Sequence, residues 1–142
     1  MKSEIDPVKV EQTNKDAPRA LFIGSYPSRQ CGLAKFLEDL TTSYQGPYDV
    51  IAVDEAEVDP TSRIYSDKVI YRLKQEDRDA YLTAASLADS GAYDVINVQH
   101  EYGLFGGMMG EYIIQFLSST QKPVITTLHT YAFFFSIVII RT

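Results

Sequence analysis

Ala20-Leu21-Phe22-Ile23-Gly24 is a short, continuous apolar run that ends in glycine. A run that is apolar at every position, rather than at every second one, is typical of a strand buried on both faces of a parallel sheet. Behind it, apolar side chains recur at the spacing of one helix face: Leu33, Phe36, Leu37, Leu40 and Tyr44. The pattern predicts a strand, a loop and a helix, which is the opening unit of an α/β fold.

The same alternation continues along the chain. Further strands are predicted at residues 48–53, 68–73, 93–98 and 124–128. Helices are predicted at residues 77–89, where the small face is Ala80, Ala84, Ala85 and Ala88, and at 110–117. The order predicts the α/β class, with a Rossmann-like, mainly parallel sheet that carries helices on both faces.

Three regions follow from this pattern. We expect residues 1–19 to be a flexible leader, residues 20–130 to form the Rossmann-like domain, and residues 131–142 to be an apolar tail. The tail combines aromatic and β-branched residues without charge up to Ile140. This composition favours self-association, and ten residues are about half of what a bilayer requires, so no transmembrane segment is expected.

Composition narrows the class of protein. The 142 residues carry 13 Lys and Arg against 19 Asp and Glu, a net charge of -6. This balance argues against nucleic acid as a partner, because phosphate neutralisation needs a basic face. A single cysteine and the lack of a secretory signal predict a reducing, cytoplasmic setting.

Ligands of such sheets sit beyond the carboxyl ends of the strands, which directs attention to three segments. The first is the loop from Gly24 to Gly32, where backbone N–H groups at a helix start favour an anion and Arg29 adds a cation. The alternative is an ordinary connecting loop whose Gly32 merely allows tight packing. The loop matches neither dinucleotide nor P-loop glycine patterns.

The second segment holds Gln99, His100 and Glu101, which are predicted to follow a buried strand, and then the glycines Gly106 and Gly107. His100 and Glu101 suit hydrogen bonding to sugar hydroxyls or proton transfer. Alternatively, the two side chains fix the loop through hydrogen bonds to its backbone. A metal site is not expected, because the zinc motif would need a histidine where Leu104 stands.

The third segment ends in His129, at the carboxyl end of a predicted central strand. From there the imidazole is placed to reach a ligand over the sheet, although a histidine at a strand end is often a structural hydrogen-bonding residue. A thiol nucleophile made of Cys31 and a histidine is a weaker alternative, because the sequence does not show that they are close.

Together, three stretches resemble the amino-terminal half of glycosyltransferase family 4 enzymes: PSRQCGLAKF at 27–36, VQHEYGLFGG at 98–107 and TTLHT at 126–130. The resemblance implies one half of a GT-B architecture, in which two Rossmann-like domains face each other across a cleft. It also implies a nucleotide sugar as substrate, a carbohydrate or lipid-linked acceptor, retention of anomeric configuration, and no cofactor or metal.

By the same resemblance, His129 is the catalytic residue and would contact the transferred sugar. Cys31 and Gly32 would approach the donor, while Gln99, His100 and Glu101 would line the acceptor side. Arg29, Gly106 and Gly107 complete the expected substrate-binding set.

The Glu-x7-Glu pair of the family's donor domain does not occur in this sequence. We therefore expect an incomplete GT-B enzyme, a truncated chain or fragment that is inactive alone. The alternatives are a non-catalytic carbohydrate- or nucleotide-binding module and a structural remnant without a ligand.

Overall fold

The computed structural model describes residues 14, 16–129 and 137–141, which form one sheet with helices against it. The elements in chain order are β1 (Ala20–Gly24), α1 (Gly32–Ser43), β2 (Tyr48–Asp54), β3 (Val69–Lys74), α2 (Arg78–Ser90), β4 (Val95–His100), α3 (Ile113–Ser119), β5 (Val124–Leu128) and β6 (Ile137–Arg141). Short 3-10 turns lie at Pro60–Ser62 and Met108–Gly110.

The six strands form one sheet in the order β3-β2-β1-β4-β5-β6. The first five are parallel, and β6 runs antiparallel to β5. Because the chain leaves β1 toward β2 on one side and returns to β4 on the other, the strand order reverses between β1 and β4. This is the point of an open α/β sheet where a crevice forms beyond the carboxyl ends.

Side chains of the same strand enter two different cores, which confirms the predicted sheet with helices on both faces. Leu21 and Ile23 of β1 pack in the core formed with α2 and α3. Phe22, next to them in sequence, packs with Leu37 of α1 on the opposite face. Both faces of β1 are thus buried, which explains why its sequence is apolar at every position.

The predicted small face of α2 is confirmed, since all four alanines are buried around a fully buried Tyr81. Asp77 caps this helix with its side chain, accepting from the backbone N–H of Asp79 and of Ala80. Small side chains bring α2 close to the sheet and leave room for the tyrosine ring.

Two predicted elements lie two or more residues away from their predicted bounds. The third helix begins at Ile113 instead of residue 110, because Met109 and Gly110 have positive φ angles of 57° and 79° that no helix contains. The strand predicted at 93–98 is β4, which extends to His100. Gln99 and His100 therefore lie at the end of the strand and not in the turn that follows it.

The region predicted as an apolar tail contributes β6, which pairs with β5 so that Leu128 lies opposite Ile137. Arg141 fixes this strand by donating hydrogen bonds to the carbonyls of Leu117 and Thr120, both at 2.6 Å. Residues 130–136 and most of the predicted leader lie outside the described residues. Among the helices of the described residues, none has the length and apolar character needed to cross a bilayer.

Candidate functional site

A cleft of about 450 Å³ opens at the carboxyl edge of the sheet, next to the point where the strand order reverses. It is lined by Arg29, Cys31, Gly32, Leu33, Phe36, Glu101 and His129. These residues come from three separate segments, namely the β1–α1 region, the end of β4 and the end of β5. The five parallel strands bring these residues together because their carboxyl ends meet at the same edge of the sheet.

The first wall of the cleft is the amino terminus of α1. Cys31 is the N-cap and makes no side-chain capping bond, and the first turn contains no acidic residue. The Cys31 thiol instead lies 3.1 Å from the buried Ser25 hydroxyl. The first backbone N–H groups of α1 are therefore not capped by a side chain, and they carry the positive end of the helix dipole.

Gly32 has no packing reason to be glycine. A Cβ atom built there would meet nothing within 4 Å among the described residues, and the position has no positive φ. The alternative in which Gly32 merely allows tight packing therefore receives no support from the described residues. A bare backbone beside open space suits the close approach of a ligand or of another domain.

His129 is held in place by two hydrogen bonds to residues of the neighbouring strand β4. Its ring Nε2 lies 2.6 Å from Oε1 of Gln99, and its backbone N–H donates to the carbonyl of His100 at 2.9 Å. The Gln99 amide nitrogen donates to Asn97, so its oxygen faces the ring. Since that oxygen only accepts, His129 carries its hydrogen on Nε2 and keeps the lone pair on Nδ1.

Phe36 supports the same imidazole from α1, with the ring centres 4.7 Å apart in an edge-to-face arrangement. The helix periodicity predicted Phe36 on the core face, but the side chain is 45% exposed and lines the cleft. The other residues of the predicted face are confirmed, since Leu37 is buried and Leu33, Leu40 and Tyr44 pack against the core. The aromatic ring thus belongs to the site and not to the core.

Burial lowers the pKa of His129 and, similarly, that of His100. The carboxylate of Glu101 opposes both shifts, because a nearby negative charge favours the imidazolium. Desolvation is the larger effect at each ring. Both histidines are therefore neutral at neutral pH, and His129 presents a hydrogen-bond acceptor, not a cation.

Arg29 lies at the cleft as predicted and forms an ion pair, while its buried Nη1 has no hydrogen-bond partner among the described residues. Its Nε is 3.0 Å from Oε1 of Glu55, and Glu55 in turn pairs with Arg63 at 2.5 Å. The sequence did not indicate Glu55, because the pair depends on how the loop after β2 folds back toward the loop after β1. The predicted free cation for an anion is an ion pair in the structure.

Gln99 and His100 do not line the cleft. Gln99 is 1% exposed and acts on the cleft through His129. The His100 ring stacks on Phe105, with centres 5.7 Å apart, and its buried Nδ1 has no hydrogen-bond partner among the described residues. The alternative in which the His100 side chain fixes the loop backbone therefore receives no support at Nδ1.

Gly106 and Gly107 also lie outside the lining of the cleft, and each has a structural reason to be glycine. A Cβ at Gly106 would sit 2.0 Å from the carbonyl oxygen of Gln75, and Gly107 has a φ of 78°. The N–H of Gly106 donates to the buried Tyr81 hydroxyl at 2.9 Å, and that hydroxyl donates to the Gln75 carbonyl at 2.8 Å. The glycine-rich turn is thus tied to α2.

Sequence reasoning missed a second, charged cavity of about 330 Å³ beyond β2 and β3. Its lining includes the buried Asp54, whose two carboxylate oxygens accept from Tyr65 and from Arg72, each at 2.6 Å. Arg63 forms ion pairs with both Asp54 and Glu55. Because Glu55 also pairs with Arg29, a chain of ion pairs joins this cavity to the first cleft. The acidic residue at the end of β2 was the available signal.

In the described part of the chain, no three side chains of the metal-binding types lie close enough to hold an ion. Comparison with family models, curated proteins and solved structures finds no match to this chain.

Proposed function

We propose that this domain is the acceptor-side wall of a retaining glycosyltransferase, which moves a sugar from a nucleotide-sugar donor to a carbohydrate or lipid-linked acceptor. The observation that carries the proposal is the meeting of three resembling motifs in one cleft. Cys31 and Gly32, Glu101, and His129 line it together although they are far apart in sequence.

The chemistry of the cleft suits sugar hydroxyls. The neutral ring of His129 offers the Nδ1 lone pair to a hydroxyl, while Glu101 offers carboxylate oxygens that accept further hydrogen bonds. Phe36 presents an aromatic surface against which the apolar face of a sugar ring packs. Gln99 acts as a positioning residue, since it sets the orientation and tautomer of His129 without lining the cleft.

Transfer of a sugar requires a second domain that faces this cleft. A glycosyltransferase of this kind holds donor and acceptor between two domains, and one wall fixes only part of the reacting geometry. We therefore propose that the described domain binds ligand but needs a facing domain for turnover. His129 then contacts the transferred sugar, and the backbone at Cys31 and Gly32 approaches the donor.

A non-catalytic carbohydrate-binding module is the second candidate. It is favoured by the exposed ring of Phe36 beside two hydrogen-bond acceptors, an arrangement that binds a sugar without any reacting group. The two candidates share a ligand class and differ in whether sugar is transferred once a donor domain is supplied.

Calorimetric titration of the 142-residue chain with a panel of nucleotide sugars and oligosaccharides tests the shared claim. We expect at least one carbohydrate to bind, and His129→Ala or Glu101→Gln to weaken it about tenfold, the equivalent of one hydrogen bond. Glu57→Gln, an exposed carboxylate outside the cleft lining, is the matched control and leaves binding unchanged. Absence of any binding, or binding indifferent to both cleft variants, would contradict the proposal.

A further inference from the structure

The second cavity of the domain shares no lining residue with the cleft. It has a volume of about 330 Å³, within the range of about 300–1,000 Å³ that is usual for small-molecule sites. The cavity lies beyond the carboxyl ends of β2 and β3, and its lining consists of Asp54, Glu55, Ala56, Val58, Arg72 and Lys74. It is therefore a candidate site for a ligand other than the one in the cleft.

The carboxylate of Asp54 is already satisfied by protein donors. One oxygen accepts from the Tyr65 hydroxyl at 2.6 Å and from Arg63 at 3.3 Å, and the other accepts from Arg72 at 2.6 Å. In dinucleotide-binding sheets an acidic side chain accepts a hydrogen bond from a ribose hydroxyl, and a carboxylate with three protein donors is poorly suited to that role. Asp54 therefore serves to hold the two arginines and does not mark a nucleotide site.

Both carboxylates of the lining are shared among arginines. Glu55 pairs with Arg29 at 3.0 Å and with Arg63 at 2.5 Å, and Arg63 also pairs with Asp54. The charged side chains of the lining and their ion-pair partners carry two negative and four positive charges, on Asp54, Glu55, Arg29, Arg63, Arg72 and Lys74. Glu101 lines the cleft beside Arg29 and offsets one positive charge at that end. An excess of one positive charge remains at the cavity, although the whole chain has a net charge of -6.

Lys74 is the lining cation that supplies this excess. Its exposed side chain is the last of β3, and its ammonium group forms no ion pair or hydrogen bond with the residues that the structure describes. An ammonium group at a concave site without a protein counter-ion attracts an anionic ligand group. A charge-assisted hydrogen bond to such a group is roughly twice as strong as a neutral one.

We propose that the second cavity binds a small phosphomonoester. The phosphate group takes the ammonium of Lys74 as its counter-ion, and Ala56 and Val58 offer the organic part an apolar wall. A phosphate suits the cavity better than a carboxylate, because at neutral pH it carries about 1.5–2 negative charges instead of about one. This inference goes beyond the proposed function, since it concerns another cavity and requires no carbohydrate.

The test follows the binding of inorganic phosphate to the 142-residue chain by NMR titration at constant ionic strength. The amide signals of Val58 and Lys74 report on the second cavity, and those of Cys31 and Gly32 report on the cleft. Phosphate should shift the signals of Val58 and Lys74 in the wild-type chain. Lys74→Gln should weaken this binding about tenfold, the loss of one charge-assisted hydrogen bond, whereas Lys74→Arg keeps the charge and should retain most of the affinity.

Lys68→Gln is the matched control and should leave the affinity unchanged. It removes the same charge just before the same strand, outside the lining of the cavity, where Lys68 lies over the Tyr48 ring. Both lysines are exposed, so neither variant removes a buried contact. The proposal is overturned if phosphate shifts no signal of the second cavity, if Lys74→Gln binds it as tightly as wild type, or if Lys68→Gln weakens binding equally. Because phosphate contains no sugar, these results stand apart from failure of the proposed function.

Discussion

Replacing Gln99 with Met removes the amide that holds His129 and keeps an unbranched side chain of similar length. Gln99 is 1% exposed, and its amide bonds both the His129 ring, at 2.6 Å, and Asn97. Each hydrogen bond contributes about 0.5–1.5 kcal/mol net, so losing two should lower the free energy of unfolding by about 1–3 kcal/mol. The methionine thioether restores neither bond.

Two measurements check this prediction. Urea unfolding gives the stability change, and nitrogen-15 NMR of the imidazole reports which ring nitrogen carries the hydrogen. Wild-type His129 should show the Nε2–H tautomer, and Gln99→Met should lose that preference. Gln45→Met, an exposed position, is the control and should change neither quantity. An unchanged tautomer together with unchanged stability in Gln99→Met would refute the claim that Gln99 positions the ring.

Three further outcomes follow from the contacts. Burial lowers the pKa of both His100 and His129, so the unfolded chain binds more protons and the free energy of unfolding should fall as the pH decreases below about 6.5. Urea unfolding at pH 7.5 and at 5.5 should show a smaller pH effect when either is changed to Gln. Gly106→Ala places Cβ 2.0 Å from a backbone oxygen and should cost about 3 kcal/mol, while Gly32→Ala, with open space, should fold normally in thermal melts. Tyr81→Phe removes the hydroxyl that joins two loops and should cost about 1–3 kcal/mol by urea unfolding.

The sheet was predictable because its central strands have a sequence pattern that is typical of buried strands. A strand such as β1, buried on both faces, must be apolar at every position, and that pattern needs no tertiary information. The start of α3 was not predictable, because the apolar spacing continues through Met109 while the backbone there is left-handed. The spacing of apolar residues indicates which face of a helix is buried, but it does not indicate the φ angle of an individual residue.

The position of the cleft was also predictable, since the carboxyl ends of parallel strands meet at one edge of the sheet. The side-chain contacts within the cleft were not predictable from the sequence. The pairing of Arg29 with Glu55 joins two loops whose course depends on packing, and the contact of Phe36 with His129 depends on the rotation of α1 over the sheet. The resemblance implies that Gln99 lines the acceptor side, whereas the structure buries its side chain at 1% exposure, bonded to the His129 ring.

The central claim is that three distant segments form one carbohydrate-binding cleft. Its most direct test is an NMR map of the amide signals that move when the chain is saturated with the carbohydrate it binds most tightly. The signals of Cys31, Glu101 and His129 should shift together with one dissociation constant. Shifts confined to the cavity around Asp54, or shifts at only one of the three segments, would contradict it.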